Sequence, residues 1–136
     1  MPRFRRCSFE TTYPFARVRL SDPDVPVEVA IEAFNPLVPG DADASGIPVA
    51  VIRFALSNRT SAAVKASVCG SIENFIGFDG KEGRARKNIN EFRIGAKPWK
   101  GLFLRSEGVE RFDERWGTLA LATDAANVSW RKAWAE

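Results

Sequence analysis

The 136-residue sequence contains no histidine. That removes the commonest general base, the commonest metal ligand and the usual partner of a serine or cysteine nucleophile. Carboxylate chemistry remains, in which an acid and a nucleophile or base stand about 5 to 10 Å apart across the bond to be cleaved. Asp22 with Asp24, and Asp41 with Asp43, are the close pairs. Both pairs sit beside proline or glycine, where aspartate bonds its own backbone or caps a turn, and that structural role is the one expected. Glu107, Glu110, Asp113 and Glu114 form a looser acidic run among Arg105, Arg111 and Arg115. A solvated loop with ion pairs, each worth about 0 to 1 kcal/mol, accounts for it.

Tryptophan offers a second chemistry, because its flat apolar face can stack on a sugar ring. Trp99, Trp116, Trp130 and Trp134 are present, with Trp99 and Trp116 the candidate platforms, against the alternative that all four fill a core or an interface. Calcium in the Asp41 loop would need several more oxygen ligands in a recognisable order, so no metal and no cofactor is expected. Gly77-Phe78-Asp79-Gly80 does not lead into a helix, which argues against a phosphate cradle there. Arg3, Arg5 and Arg6 form one basic cluster, and Lys81, Arg84, Arg86 and Lys87 another, within a net charge of +3. No nucleic-acid motif accompanies them, so solvated loops are expected and nucleic acid is not an expected partner.

The elements that must position these residues are strands. In the run from Pro26 to Phe34, Val27, Val29, Ile31 and Ala33 alternate with Glu28 and Glu32, as a half-buried strand requires. Ala50, Ile52, Phe54 and Leu56 alternate about Arg53, and Val64, Ala66, Val68, Gly70 and Ile72 alternate with Lys65, Ser67 and Ser71. Weaker strands read at Phe15 to Leu20, Glu91 to Ile94, Leu102 to Arg105, Gly117 to Thr123 and Val128 to Ala133, roughly eight in all. Turn residues separate them, and the short link from Ser57 to Ala62 predicts an antiparallel hairpin. Asn58-Arg59-Thr60 and Asn127-Val128-Ser129 match a glycosylation pattern and are read as turns. Asn35 to Ile47 and Asp79 to Asn90 are long polar loops of the kind that carry function on a rigid sheet.

The expected fold is therefore all-β, an antiparallel β-sandwich, forming one domain over residues 1–136. Hydrophobic residues at 45% and charged residues at 27% are ordinary for a globular chain of this size. Two cysteines far apart, Cys7 and Cys69, do not make a disulfide framework, and no secretion or membrane segment is visible, so a reducing, cytoplasmic setting is expected.

Longer blocks carry more information than any of these signals. They are Tyr13-Pro14-Phe15-Ala16-Arg17-Val18, Ser21-Asp22-Pro23-Asp24-Val25-Pro26-Val27-Glu28-Val29, Glu32-Ala33-Phe34-Asn35-Pro36, Asp41-Ala42-Asp43 and Gly46-Ile47-Pro48-Val49-Ala50. Glu73-Asn74-Phe75 within Gly70 to Gly77, and Arg115-Trp116-Gly117-Thr118-Leu119-Ala120-Leu121-Ala122 leading to Val128-Ser129 and Trp134, complete the series. In this order they resemble the N-terminal domain of glycoside hydrolase family 116, which includes the bile-acid β-glucosidase, or non-lysosomal glucosylceramidase.

The resemblance implies a β-sandwich packed on a C-terminal (α/α) barrel that hydrolyses β-glucosides with retention, the catalytic Glu and Asp belonging to the barrel. No position here matches those motifs, so no catalytic residue carries over and the chain is expected to be inactive alone. Its implied partner is the catalytic barrel, with the loop from Asn35 to Pro48, and Asn35, Asp41 and Asp43 in it, as the contact. Carbohydrate or glycolipid would be met only through the full enzyme, and open sheet edges predict self-association. The alternative is a stand-alone carbohydrate-binding sandwich that uses Trp99 or Trp116.

Overall fold

A computed structural model describes residues 3–78 and 87–133. Its elements are, in order, β1 (Arg6–Thr12), β2 (Phe15–Ser21), β3 (Val27–Phe34), the short helix α1 (Ala42–Ser45), β4 (Val51–Asn58), β5 (Asn88–Ile94), β6 (Lys100–Ser106) and β7 (Leu119–Thr123). The all-β class is as expected: the strands make two antiparallel sheets, ordered β1-β2-β3-β4 and β5-β6-β7, neither closed into a barrel. The sheets belong to two compact units, Met1–Val68 and Cys69–Glu136.

In the first sheet, register turns alternation into two unlike faces. Phe9 lies opposite Val18, Val18 opposite Ile31, and Ile31 opposite Phe54; the flanking row runs Cys7, Leu20, Val29, Leu56. One face is therefore apolar across all four strands. On the other, Glu10, Arg17, Glu32 and Arg53 stand in a row of alternating charge. Arg17 donates to Glu32 at 2.7 Å, and the Arg53 guanidinium lies 3.7 Å from the same carboxylate. In the next row on this face, Phe15 stands against Phe34, ring centroids 5.6 Å apart. Turn chemistry joins the strands: Tyr13-Pro14, a cis peptide, links β1 to β2, and Asp22 accepts from the Asp24 N–H at 3.0 Å in the link to β3.

The second sheet is covered by its own chain. Asn74 donates through Nδ2 to Asn90 Oδ1 at 2.9 Å and to the Arg105 carbonyl at 3.0 Å, while Asn88 donates back to the Asn74 carbonyl at 3.1 Å. These bonds lay the segment around Asn74 across the face that carries Asn88, Asn90, Leu102 and Leu104. Leu104 is 1% exposed, and the other apolar side chain buried among the described residues, Ile76, comes from the covering segment. Trp130 stacks on Phe92 of the same face, centroids 5.0 Å apart and planes 4° from parallel. At Gly101 the β6 and β7 backbones approach so closely that a Cβ would overlap the Leu121 carbonyl oxygen and lie 2.7 Å from Ala122 Cα.

Three expectations are corrected. Val64 to Ile72 forms no strand, and Val128 to Ala133 forms none either. The Ser57 to Ala62 link consequently does not make a hairpin. Asn58 turns the chain, accepting from Thr60 N at 3.0 Å and donating to the Ala62 carbonyl at 2.7 Å, but β4 has β3 as its ladder partner and the following chain does not pair back. Alternation shows that a segment can be extended with two unlike faces; a ladder also requires a free edge at the right place. Conversely β1, which alternation did not single out, pairs with β2 along its whole length. No helix among the described residues is long and apolar enough to cross a membrane.

Candidate functional site

The predicted carboxylate pairs serve the backbone. Asp41 is the N-cap of α1: its Oδ1 accepts from Ala44 N at 2.8 Å. Its own N–H donates to the Val38 carbonyl at 3.0 Å, and the Ser45 hydroxyl both accepts from Val38 N and donates to Val38 O. The loop is thus closed on itself by polar bonds. Asp43 and Asn35 are exposed, as are the apolar side chains Val38, Ile47 and Val49 around them.

Asp22 accepts from the Asp24 and Arg5 N–H groups at 3.0 and 3.1 Å, and Asp24 pairs with the Arg5 guanidinium. The bond from the Asp24 N–H, followed by those from Arg5, holds the Asp22 carboxyl below its ordinary range. A carboxyl kept ionised in this way is a poor general acid, so the structural reading of this pair holds. Among the described residues, no group of three or more Cys, Asp or Glu is placed to hold a metal.

The aromatic candidates separate. Trp99 lies at the β5–β6 hairpin, where Gly95 N donates to its carbonyl at 3.0 Å and its N–H donates to Ala96 O at 3.0 Å. Trp116 instead lines a groove of about 510 Å³ with Phe75, Ile76, Gly77, Phe78, Glu114 and Arg115. Two chain segments build this groove and are tied together by Gly77 N donating to the Arg115 carbonyl at 3.1 Å. Arg115 is steadied by Asp113, to which it donates at 2.6 and 2.9 Å. Those side-chain bonds, then the Arg115 N–H, pull the Asp113 carboxyl down to about 2. Phe75, Phe78 and Trp116 keep about half of their surface exposed (54%, 47% and 46%), as a stacking platform must. Among the described residues, Glu114 is the one carboxylate in the lining, whereas glycoside hydrolysis works with a pair of them.

Phe75 and Phe78 are not legible as partners of Trp116 in the sequence, because nothing there shows that they meet it about 40 residues later. Trp130 is engaged with Phe92. Trp134 and the basic residues Lys81, Arg84 and Arg86 lie outside the described residues. Cys7 and Cys69 are both free and exposed.

Two antiparallel sheets, neither closed into a barrel, with Asp22 and Asp41 committed to a turn and a cap, define an all-β domain. The chain belongs to the N-terminal domain family of glycosyl-hydrolase family 116: the family model described as beta-glucosidase 2, glycosyl-hydrolase family 116 N-term, matches residues 2–135. No curated protein matches it in sequence.

Proposed function

We propose that this chain is a non-catalytic accessory domain of a β-glucosidase or glucosylceramidase-type glycoside hydrolase, supporting a C-terminal (α/α) barrel that cleaves the glycoside. The family match over residues 2–135, to an N-terminal domain, carries this reading. The contact with the barrel is the loop from Asn35 to Pro48. Bonds from Asp41 and Ser45 close the loop on itself, so it presents a preformed surface on which Val38, Ile47 and Val49 are exposed. The free thiols suit a reducing compartment.

The test is reconstitution with a family 116 catalytic domain added in trans. Binding is expected to weaken about ten-fold or more for Val38→Asp or Ile47→Asp, the loss of a buried apolar contact plus an unpaired charge. Equal binding by the wild type and both variants would reject the loop as the contact. A chain that cleaves a β-glucoside unaided would reject the accessory role itself.

A second reading is favoured by one observation, the groove of Phe75, Phe78 and Trp116: the module itself holds a sugar ring. Titration with glucose and cellobiose should then quench tryptophan fluorescence, and Trp116→Ala should abolish the change while Trp99→Ala leaves it.

A further inference from the structure

The polar face of the first sheet holds a feature that the accessory role does not use. Register sets Arg6 opposite Ser21 and Ser8 opposite Arg19, so the four side chains stand on one face at the corners of a quadrilateral. One diagonal carries two guanidiniums and the other two hydroxyls, with diagonal spacings of about 7–8 Å or somewhat less between Cβ atoms. These residues line a groove of about 570 Å³, bounded on the β3 side by Glu28.

Two cations of this groove, Arg6 and Arg19, lack a direct acidic partner, the nearest acid on the same face of β1 being Glu10, diagonal to Arg19. Elsewhere in the sheet each cation has its acid: Arg17 and Arg53 share Glu32, Arg59 pairs with Glu28, and Arg5 is held by Asp22 and Asp24. Arg6 and Arg19 have no ion pair and no side-chain hydrogen bond among the described residues. Asp22, whose charge Arg6 stabilises at longer range, is already occupied by the Arg5 and Asp24 N–H groups. Like charges on neighbouring strands repel, and an oxyanion seated between them reverses that term while gaining charge-assisted bonds from both forks.

We propose that Arg6, Ser8, Arg19 and Ser21 form a binding site for the phosphate or sulfate group of a small soluble ligand. The two guanidiniums grip the oxyanion from opposite corners, and the serine hydroxyls donate to its remaining oxygens. Glu28, neutralised in part by Arg59, borders the groove where the body of the ligand would extend, which disfavours a second anionic group at that end and suits hydroxyl-bearing or cationic ones. The groove volume lies within the roughly 300–1,000 Å³ usual for small-molecule sites.

Calorimetric titration of the full chain with inorganic phosphate and with pyrophosphate, at ionic strength held constant with chloride, tests the site. Saturable one-to-one binding is expected. Arg6→Gln and Arg19→Gln should each weaken it about ten-fold, the loss of one charge-assisted pair. Ser8→Ala should weaken it less, and Arg53→Gln, on the same face but outside the groove, should leave it unchanged. Arg6 and Arg19 are exposed and unpaired, so the variants should keep the wild-type circular dichroism, and Arg19→Lys supplies a second variant that retains charge without the fork. The proposal fails if neither anion binds above the chloride background, or if Arg53→Gln costs as much as Arg19→Gln. It fails equally if a single-stranded oligonucleotide binds, with steep salt dependence, where the small anions do not.

Discussion

The two sheets solve the same problem in different ways. Each has one apolar face, yet the first leaves Phe9 65% exposed and contributes none of the apolar side chains buried among the described residues, whereas the second buries Leu104 to 1%. The difference lies in what crosses the face. The segment around Asn74 is laid over the second sheet by amide hydrogen bonds to Asn88 and Asn90, and Trp130 stacks on Phe92. Among the described residues of Met1–Val68, no segment does the same for the row of Phe9, Val18, Ile31 and Phe54. A ladder satisfies backbone hydrogen bonds, but only a covering layer removes apolar surface from water, at about 25 cal/mol per Å². Within its own unit the first sheet therefore has the larger unrealised stabilisation, on an apolar face bounded by the edge strands β1 and β4.

Substitutions can break this comparison. The largest effect is expected from Leu104→Ala, at about 2 to 5 kcal/mol, because a fully buried side chain leaves a cavity that its neighbours fill poorly. Urea unfolding of the full chain, with hydrogen exchange read separately on β6 and β2, measures it; Phe9→Ala costing as much would show that the first sheet is equally covered. Next comes Gly101→Ala, at about 1 to 3 kcal/mol, since the added methyl meets backbone rather than a side chain that could move. Loss of protection should centre on the β6–β7 ladder.

Asn74→Ala should cost about 1 to 3 kcal/mol, exposing the second sheet by releasing its cover and leaving Asn90 Oδ1 and the Arg105 carbonyl short of a donor. Unchanged exchange on β5 in this variant would mean that packing, not the amides, holds the segment. Phe9→Ser should shift stability by no more than about 0.5 kcal/mol. Its effect should instead be less self-association in light scattering at high concentration, and an unchanged association state would show that the apolar face is not what drives it.

The smallest expected effect concerns acid. Asp113 has a folded-state pKa below its ordinary 3.8, at about 2, so its bonds to Arg115 stabilise the loop fully above the ordinary value and are lost as pH falls through the lower one. Carboxyl chemical shifts followed from pH 5 to pH 1.5 would show this, and titration of Asp113 near 3.8 would mean that the Arg115 pair is not formed in solution.

How much of this was legible beforehand varied with the kind of signal. Alternation in Val27 to Phe34 and Ala50 to Leu56 located β3 and β4 because it is written in the chain itself. The same signal in Val64 to Ile72 misled, because pairing needs a partner edge that no local pattern specifies. β1 was missed since Cys7, Phe9 and Thr11 offer a single large apolar side chain; its strand character comes from β2 beside it. The cap and turn roles of Asp41 and Asp22 were readable from their neighbours, because such bonds close within a few residues. Trp116 was a candidate by type, but its partners Phe75 and Phe78 emerged only when distant segments met.

The sequence by itself determined the all-β class, the family, the lack of histidine chemistry and the local turns, all properties of residue type, order and short spacing. The tertiary structure alone decided which extended segments became strands, that the Asn74 segment covers the second sheet, and that Arg6 and Arg19 stand unpaired across one groove. Register and long-range contact set those outcomes: a shift of one residue in a ladder moves every side chain to the other face.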